Sequence, residues 1–237
     1  MTAKRLARWH DAGIISIGSK QGRGSVDEFL QGYLTCDTAT LEESAALPWC
    51  LCDVKGRVLA NGWAYHCDEK THLLLHADLR ETVADFLKPY LLFARCELNH
   101  EPLTVVVDPE GLELVPRLRV ATSCEDINSA VAASDDAINA SLIDAAYAWL
   151  TPTTSGRFLP QMLGQTDFGA VNFNKGCYLG QEIVARAQHR GAVKRTLRSF
   201  EWDGEPPTVG ETHEQSVGVV VSVCGSGQAQ GRGLSVG

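Results

Sequence analysis

The sequence contains no long uninterrupted apolar run. No stretch reaches the length of a bilayer-spanning helix, and residues 1–30 lack the apolar core of an export signal. Eight cysteines without an export signal predict free thiols in a reducing compartment, and hence a cytoplasmic protein. Lys4, Arg5 and Arg8 resemble an Arg-rich transit peptide only weakly, and this remains the alternative interpretation.

The sequence also lacks net positive charge. Its formal net charge of −8 gives no general footprint for nucleic acid or an anionic membrane, so we expect neither as a direct partner. An anionic ligand would need a local basic site. Such a concentration of basic residues occurs late in the chain, at Lys175, Arg186, Arg190, Lys194, Arg195 and Arg198.

Motifs for metals and dinucleotides are missing as well. Cys50 and Cys52 form a C-x-C pair, whereas structural zinc sites space their paired cysteines more widely and combine them with further ligands. The glycines at 225–233 precede no helix or βαβ unit, so they do not form a dinucleotide loop. No metal site is predicted, and the two cysteines are expected to be packed in a core.

The first part of the chain has mixed helical and β patterns. Ser25 and Glu28 have the spacing of a capping box, followed by an apolar stripe at helical spacing. Residues 49–52, 58–66 and 73–75 are β-rich runs separated by turn-forming residues, which predicts an antiparallel meander. A second helix with an internal Pro89 is predicted to follow.

The second part continues this alternation. Two β-rich runs flank a predicted turn at 108–111, and an Ala-rich helix is predicted over 134–150. The last part is β-rich at 195–202 and 216–224, and its glycine-rich end is predicted to add an edge strand. These patterns indicate an α+β protein.

The most specific stretch lies at 174–191. Residues 169–173 alternate like a half-buried strand, 174–176 break that pattern as a turn does, and a helix is predicted from Gln181 to a stop at Gly191. Glu182 and Arg186 stand four residues apart on one helix face, where each can satisfy the other.

Cys177 would lie in the loop before this helix. Lys175 and the unpaired amide groups of a helix start would both favour its thiolate, which predicts a reactive thiol with Lys175 as its activator. The alternative is a buried structural cysteine, since cysteine is among the most often buried residues. We favour the functional interpretation for Cys177 and the structural one for the other seven cysteines.

The stretch Lys-Gly-Cys-Tyr-Leu-Gly-Gln-Glu at 175–182, followed by Val-Ala-Arg at 184–186 and Arg-Gly at 190–191, resembles the signature of the YgfZ-type folate-binding proteins. These proteins are relatives of the aminomethyltransferase T protein of glycine cleavage. Residues 29–37, 55–59 and 158–161 agree with the same family.

This resemblance implies a modular aminomethyltransferase-like fold with mixed antiparallel sheets, helices and a small C-terminal β-barrel-like domain. The expected parts are 1–100, a first α+β part of the folate-binding domain; 101–191, a second α+β part ending in the signature; and 192–237, a short C-terminal β domain. It also implies tetrahydrofolate or a derivative as cofactor. The implied role is an accessory one, in the maturation or repair of iron–sulfur enzymes, including tRNA-modifying ones, with client or assembly proteins as partners.

Folate needs a polar acceptor for its pterin edge, an apolar or aromatic wall and a cationic end for its glutamate tail. Glu182, Tyr178 and Arg186 supply these kinds of group, and the expected cofactor-binding residues are Tyr178, Gln181, Glu182, Arg186, Lys55, Arg57 and Asp37. We do not expect a classical enzyme. One alternative is a folate-dependent aminomethyl transferase, with Asp37 as its acid or base, and another is a cofactor-free protein-binding module.

Overall fold

The computed structural model of the chain describes residues 7–43, 45–99, 105–116, 118–120, 131–132, 135–191, 193–225 and 229–237. This described part forms twelve strands and four α-helices. In chain order they are β1 Ala7–Trp9, β2 Ala12–Ser19, α1 Val26–Gln31, β3 Leu47–Cys52, β4 Val58–Cys67, β5 Lys70–His76, α2 Arg80–Ala94, β6 Cys96–Asn99, β7 Val105–Val115, β8 Leu118–Val120, β9 Val131–Ala132, α3 Asp135–Asp144, α4 Gln181–His189, β10 Leu197–Asp203, β11 Val219–Cys224 and β12 Gln230–Val236.

The strands form three sheets. A five-stranded antiparallel sheet has the order β3-β4-β5-β2-β6, and a three-stranded antiparallel sheet has the order β10-β12-β11. A four-stranded sheet, β8-β7-β1-β9, contains one parallel pair, β1 with β9. The predicted α+β class with mixed antiparallel sheets is therefore confirmed.

Local sequence signals account for much of the first sheet. The predicted meander corresponds to β3, β4 and β5, which pair in chain order. At the start of α1 the Ser25 hydroxyl accepts a hydrogen bond from the Glu28 amide at 3.3 Å, as the capping-box spacing predicts. In the described residues, no helix is both long and apolar enough to cross a bilayer.

Four predicted elements differ from the structure. The predicted helix over 134–150 ends with α3 at Asp144, because Ala146 adopts a left-handed φ of 56° and breaks the helix; Ser134 lies outside the described residues. The predicted turn at 108–111 lies within β7, which shifts its register against β8 so that Val107 and Leu112 both oppose Val120. Residues 103–104 of the preceding run lie outside the described residues.

The two other corrections concern the signature and the C-terminus. Residues 169–173 form an irregular loop, not a strand, because their backbone groups bond to two other segments: Asn172 donates to the Thr35 carbonyl and Ala170 to the Gln165 carbonyl. The glycine-rich β12 is the central strand of its sheet instead of an edge, since it pairs with both β10 and β11.

One large core cluster joins the five-stranded sheet, α4 and the three-stranded sheet. It contains buried residues of the five-stranded sheet and α2, together with Val184 of α4 and Val221, Leu234 and Val236 of the C-terminal sheet. A second cluster is rich in aromatic side chains, with Trp63 stacked between Tyr147 and Trp149. The domain boundaries at 100 and 191 stay a prediction; β1 of the first expected part pairs with β7 of the second.

Candidate functional site

The loop before α4 is held along the segment that follows α1. Asn172 donates its amide hydrogen to the Thr35 carbonyl at 2.9 Å, and Leu179 donates to the Gly32 carbonyl at 3.1 Å. Between them, the Lys175 ammonium donates to the carbonyls of Leu34 at 2.8 Å and Cys36 at 2.5 Å. The signature loop is thus fixed by backbone acceptors at both of its ends and in its middle.

The half-buried Lys175 contacts the backbone of the segment that follows α1. Burial lowers the pKa of its ammonium below the ordinary value, while the nearby Cys36 and Asp37 act in the opposite direction. Because this ammonium donates to the carbonyls of Leu34 and Cys36, it serves as an anchor for the loop. The activation of the Cys177 thiol by Lys175 stays a prediction.

Cys177 lies exposed in the loop, four residues before α4. The amide groups at the start of α4 were the other expected activator of the thiol. Two of them make local hydrogen bonds: the Gln181 amide donates to the Tyr178 carbonyl, and the Ile183 amide donates to the Gly180 carbonyl. Six of the seven described cysteines, all free, are buried or half-buried, so within the described residues Cys177 is the one exposed thiol. Cys124 lies outside them.

Tyr178 points into the protein beneath the loop. Its side chain is buried, with the ring centroid 5.3 Å from the Lys175 ammonium. The pKa of its hydroxyl is raised, first by burial and then by the neighbouring thiols of Cys52 and Cys50. The hydroxyl makes no hydrogen bond with any described residue. Tyr178 therefore supports the loop from below, and its contact with a folate stays a prediction.

Gly180 joins the signature to the turn between β3 and β4. It has a left-handed φ of 83°, and a Cβ at this position would lie 2.5 Å from the Asp53 carbonyl oxygen and 3.1 Å from the Gly56 Cα. A Cβ at Gly56 would in turn lie 3.2 Å from Ile183 and Val184. The two glycines allow the turn to sit directly against the first turn of α4.

Replacing Gly180 with alanine is expected to lower the free energy of unfolding by about 1–3 kcal/mol or more, because the Cβ meets both a left-handed backbone and a carbonyl oxygen. Gly176 is the matched control within the same loop, since a Cβ there would have no atom within 4 Å. Gly176→Ala should change stability by less than about 0.5 kcal/mol. Urea unfolding of both variants provides the measurement, and equal losses would refute the close-packing argument.

The predicted ligand groups of α4 bond to each other. The Arg186 guanidinium donates to the Glu182 carboxylate at 2.7 Å, and their side chains are 53% and 80% exposed. This is the mutual satisfaction that the i, i+4 spacing allowed. Both groups nevertheless remain open to solvent. Glu182 directly follows the half-buried Gln181 that begins the helix, and Arg186 lies one turn after Glu182.

The turn containing Lys55 and Arg57 lies beside this helix. The Asp53 carboxylate accepts hydrogen bonds from the amides of Lys55 and Arg57, both at 2.8 Å, which fixes the turn. The Arg57 guanidinium donates to the Arg157 carbonyl at 3.0 Å. The contact of Gly56 with Ile183 and Val184 thus places the turn that carries Lys55 and Arg57 against the first turn of α4.

Asp37 belongs to a separate part of the site, close to Lys175. Its carboxylate accepts a hydrogen bond from the Gln31 side chain at 2.8 Å. The structure thus places the predicted residues in two groups. Asp37, Lys175 and Tyr178 lie beneath or within the loop. The second group comprises residues of α4 and of the turn that packs against it: Lys55, Arg57, Gln181, Glu182 and Arg186.

Gln161 is a supporting residue to which sequence reasoning assigned no role. Its amide nitrogen donates to the Val184 carbonyl at 2.8 Å, so the short 3₁₀ turn Pro160–Leu163 is attached to α4. The signal for it was present, because residues 158–161 agree with the family pattern. Four cavities of about 280 to 610 Å³ lie elsewhere on the described part, and none of these four is lined by residues 175–186.

Among the described residues, no group of three or more His, Cys, Asp or Glu side chains is arranged to hold a metal ion. Cys50 and Cys52 are fully buried in β3, as their packing interpretation predicted.

No family model matches the chain. Curated relatives include an uncharacterized protein of Haemophilus influenzae, 29% identical over 73% of this chain and 66% of its own length. The tRNA-modifying proteins YgfZ of Sodalis glossinidius and Colwellia psychrerythraea are 26% and 28% identical, each over 81% of this chain and over 71% and 70% of their lengths. The chain therefore spans about two thirds of the length of the curated relatives it matches.

A solved structure gives the fold independently. Aminomethyltransferase T of the glycine cleavage system from Bartonella henselae superposes with a TM-score of 0.69 at 12% identity, covering 98% of this chain and 78% of that one. The chain is thus similar in sequence to the proteins named tRNA-modifying protein YgfZ, and it has the fold of aminomethyltransferase T.

Proposed function

We propose that this chain binds a tetrahydrofolate and supports the maturation or repair of iron–sulfur enzymes, including tRNA-modifying ones, through the thiol of Cys177. The observation that carries the proposal is the exposure of Cys177 in a loop whose neighbours are anchored. Cysteine is usually buried in proteins, and the other described cysteines follow that rule to different degrees.

The anchoring of the loop supports a functional thiol over an incidental one. Lys175 is held by two carbonyls on one side of Cys177, and Tyr178 is buried on the other side. The backbone therefore has a fixed path on both sides of Cys177, and the thiol stays accessible to a macromolecular partner. An accessible thiol can attack an electrophile, be oxidised or ligate a cluster iron.

The polar residues of α4 and of the turn between β3 and β4 fit the polar ends of a folate. The Glu182 carboxylate can accept hydrogen bonds from the donor edge of a pterin, and the Arg186, Lys55 and Arg57 cations suit the carboxylates of its tail. Gly56 and Gly180 bring these groups together. Bound tetrahydrofolate would supply a reduced pterin that can carry a one-carbon unit.

Isothermal titration with 5-formyl-tetrahydrofolate tests the folate half of the proposal. We expect saturable binding that Glu182→Gln weakens about ten-fold, because a charged acceptor is replaced by a neutral one. Glu201→Gln, which alters an exposed carboxylate on β10, is the matched control and should bind as tightly as the parent chain. Absence of any heat at saturating ligand would refute folate binding.

A second candidate is a binding module without a cofactor. It is favoured by the burial of Tyr178 and by the ion pair between Glu182 and Arg186, which leave these predicted folate groups engaged within the protein. The same titration separates the two candidates, since this module would give no folate signal while retaining the accessible loop.

A further inference from the structure

The residues that follow the start of α4 form a strongly basic segment. Between Ile183 and Phe200 the sequence has five Lys or Arg residues and no Asp or Glu, in a chain whose formal net charge is −8. We call this set the basic segment: Arg186, Arg190, Lys194, Arg195 and Arg198. We propose that the basic segment binds the γ-linked oligoglutamate tail of a folate, an inference that rests on the proposed function.

The cations of the basic segment are open to solvent. All five residues are exposed. Arg186 pairs with Glu182, whereas Arg190, Lys194, Arg195 and Arg198 make no ion pair or side-chain hydrogen bond with a described residue. Four unpaired cations thus follow one another without an acidic side chain between them, which leaves them available to an extended polycarboxylate.

Helix stabilisation explains only part of this charge. Arg186, His189 and Arg190 lie in the last turn of α4 or at its C-cap, where cations favour the helix dipole. Lys194, Arg195 and Arg198 come after the helix has ended and gain nothing from its dipole. Their charge therefore needs another explanation.

The fold keeps the two halves of the basic segment near each other. The short turn Pro160–Leu163 binds α4 through the hydrogen bond from Gln161 to the Val184 carbonyl. Gly164 follows that turn, and a Cβ at its position would lie 3.7 Å from the Leu197 side chain at the start of β10. The helix and the strand are therefore both attached to the same turn.

The direction of α4 suits a folate tail. The helix begins with the groups proposed to hold the pterin and leads toward Arg190. At about 1.5 Å per residue, Glu182 and Arg190 are separated along the axis by roughly 12 Å, about the reach of a pteroyl group. The first glutamate of the tail would then meet Arg186 or Arg190, and later glutamates would meet Lys194, Arg195 and Arg198.

A short oligocarboxylate fits this surface better than RNA does. RNA binding draws on a broad basic face with many phosphate contacts, whereas this chain is acidic overall and its cations are concentrated in one segment. A tail of several carboxylates needs only a few cations in sequence.

Isothermal titration of the full chain with 5-formyl-tetrahydrofolate bearing one or five glutamates tests the inference. We expect the pentaglutamate to bind about ten-fold tighter in low salt, because several exposed ion pairs each add a modest gain. The gain should shrink as salt rises. In the triple variant Lys194→Gln, Arg195→Gln, Arg198→Gln the gain should vanish while monoglutamate affinity stays unchanged, because these three cations are proposed to meet only the later glutamates.

The matched control removes three exposed cations elsewhere, by Lys20→Gln, Arg23→Gln and Lys88→Gln, and should keep the full gain. Equal affinity for the two ligands would overturn the tail site and leave folate binding intact. Failure of both ligands to bind would overturn both proposals. A gain that persists in the triple variant, or tight binding of a short RNA hairpin without any glutamate-dependent gain, would also overturn the inference.

Discussion

Raising the pH from about 8.5 to about 10.5 is expected to remove several kcal/mol from the stability of the native state. The cause is the group of thiols buried beneath the signature loop. Burial raises the pKa of Cys36 to about 12, and burial also raises the pKa values of Cys50 and Cys52. These thiols must stay protonated in the folded protein.

The sign of the effect follows from proton binding. In the unfolded chain a thiol ionises near pH 8.5, whereas the folded chain keeps its proton to a higher pH. Between the two pKa values the folded state binds more protons, so its stability is complete below the unfolded pKa and falls as the pH rises. Each buried thiol contributes a slope of about 1.4 kcal/mol per pH unit. The three thiols together contribute a slope of roughly 4 kcal/mol per pH unit.

Other buried groups act on the same range. Burial raises the pKa values of Tyr147 and Tyr178, which adds to the loss of stability above pH 10 or so. Lys175 acts in the opposite direction: its pKa is lowered, so the folded state binds fewer protons and gains stability as the pH rises toward the ordinary lysine value. The gain from this one lysine does not cancel the loss of stability from the three thiols and the two tyrosines.

Urea unfolding under reducing conditions at a series of pH values measures this slope. The double variant Cys50→Ala, Cys52→Ala should reduce it by roughly two thirds, even though the substitutions also lower the stability at neutral pH. A stability that stays flat between these pH values in the parent chain would show that the three thiols are not protected from ionisation.

Local sequence patterns predict the first helix and three consecutive strands of the five-stranded sheet. The capping spacing of Ser25 and Glu28 and the turns between β3, β4 and β5 are signals carried by neighbouring residues. Such signals depend on chain geometry within a few residues, which is why they survive in the folded protein.

Long-range contacts explain where the sequence misled. Residues 169–173 alternate like a strand. However, the Thr35 hydroxyl donates to the Ala170 carbonyl, and the Asn172 amide donates to the Thr35 carbonyl. The segment therefore pairs with a loop and not with a sheet. The contacts of Lys175 are also long-range. The carbonyls of Leu34 and Cys36, to which its ammonium donates, are more than 130 residues away in the sequence, so no local pattern could predict them.

The rest of the candidate site also divides into local contacts, which the sequence predicts, and long-range contacts, which it does not. The ion pair between Glu182 and Arg186 is local, because the two residues are four apart on one helix. The contact of Gly180 with Asp53 and Gly56 is long-range, and nothing in the local sequence shows which segment approaches the glycine. The exposure of Cys177 follows from the anchoring of its neighbours by distant residues.

Cys177→Ser is expected to abolish the function of the chain in the cell without unfolding it. The side chain is exposed, so replacing sulfur with oxygen removes a nucleophile and soft metal ligand but disturbs no packing in the core. Cys67→Ser is the matched control, because Cys67 is half-buried on β4 and lies outside the signature.

Complementation of a strain from which the gene for this chain has been deleted tests the central claim most directly. The readout is the content of modified nucleosides in cellular tRNA, measured at equal levels of each protein. We predict that the parent chain and Cys67→Ser restore the modification and that Cys177→Ser gives no more than an empty vector. Full restoration by Cys177→Ser, or equal loss in both variants, would contradict the account.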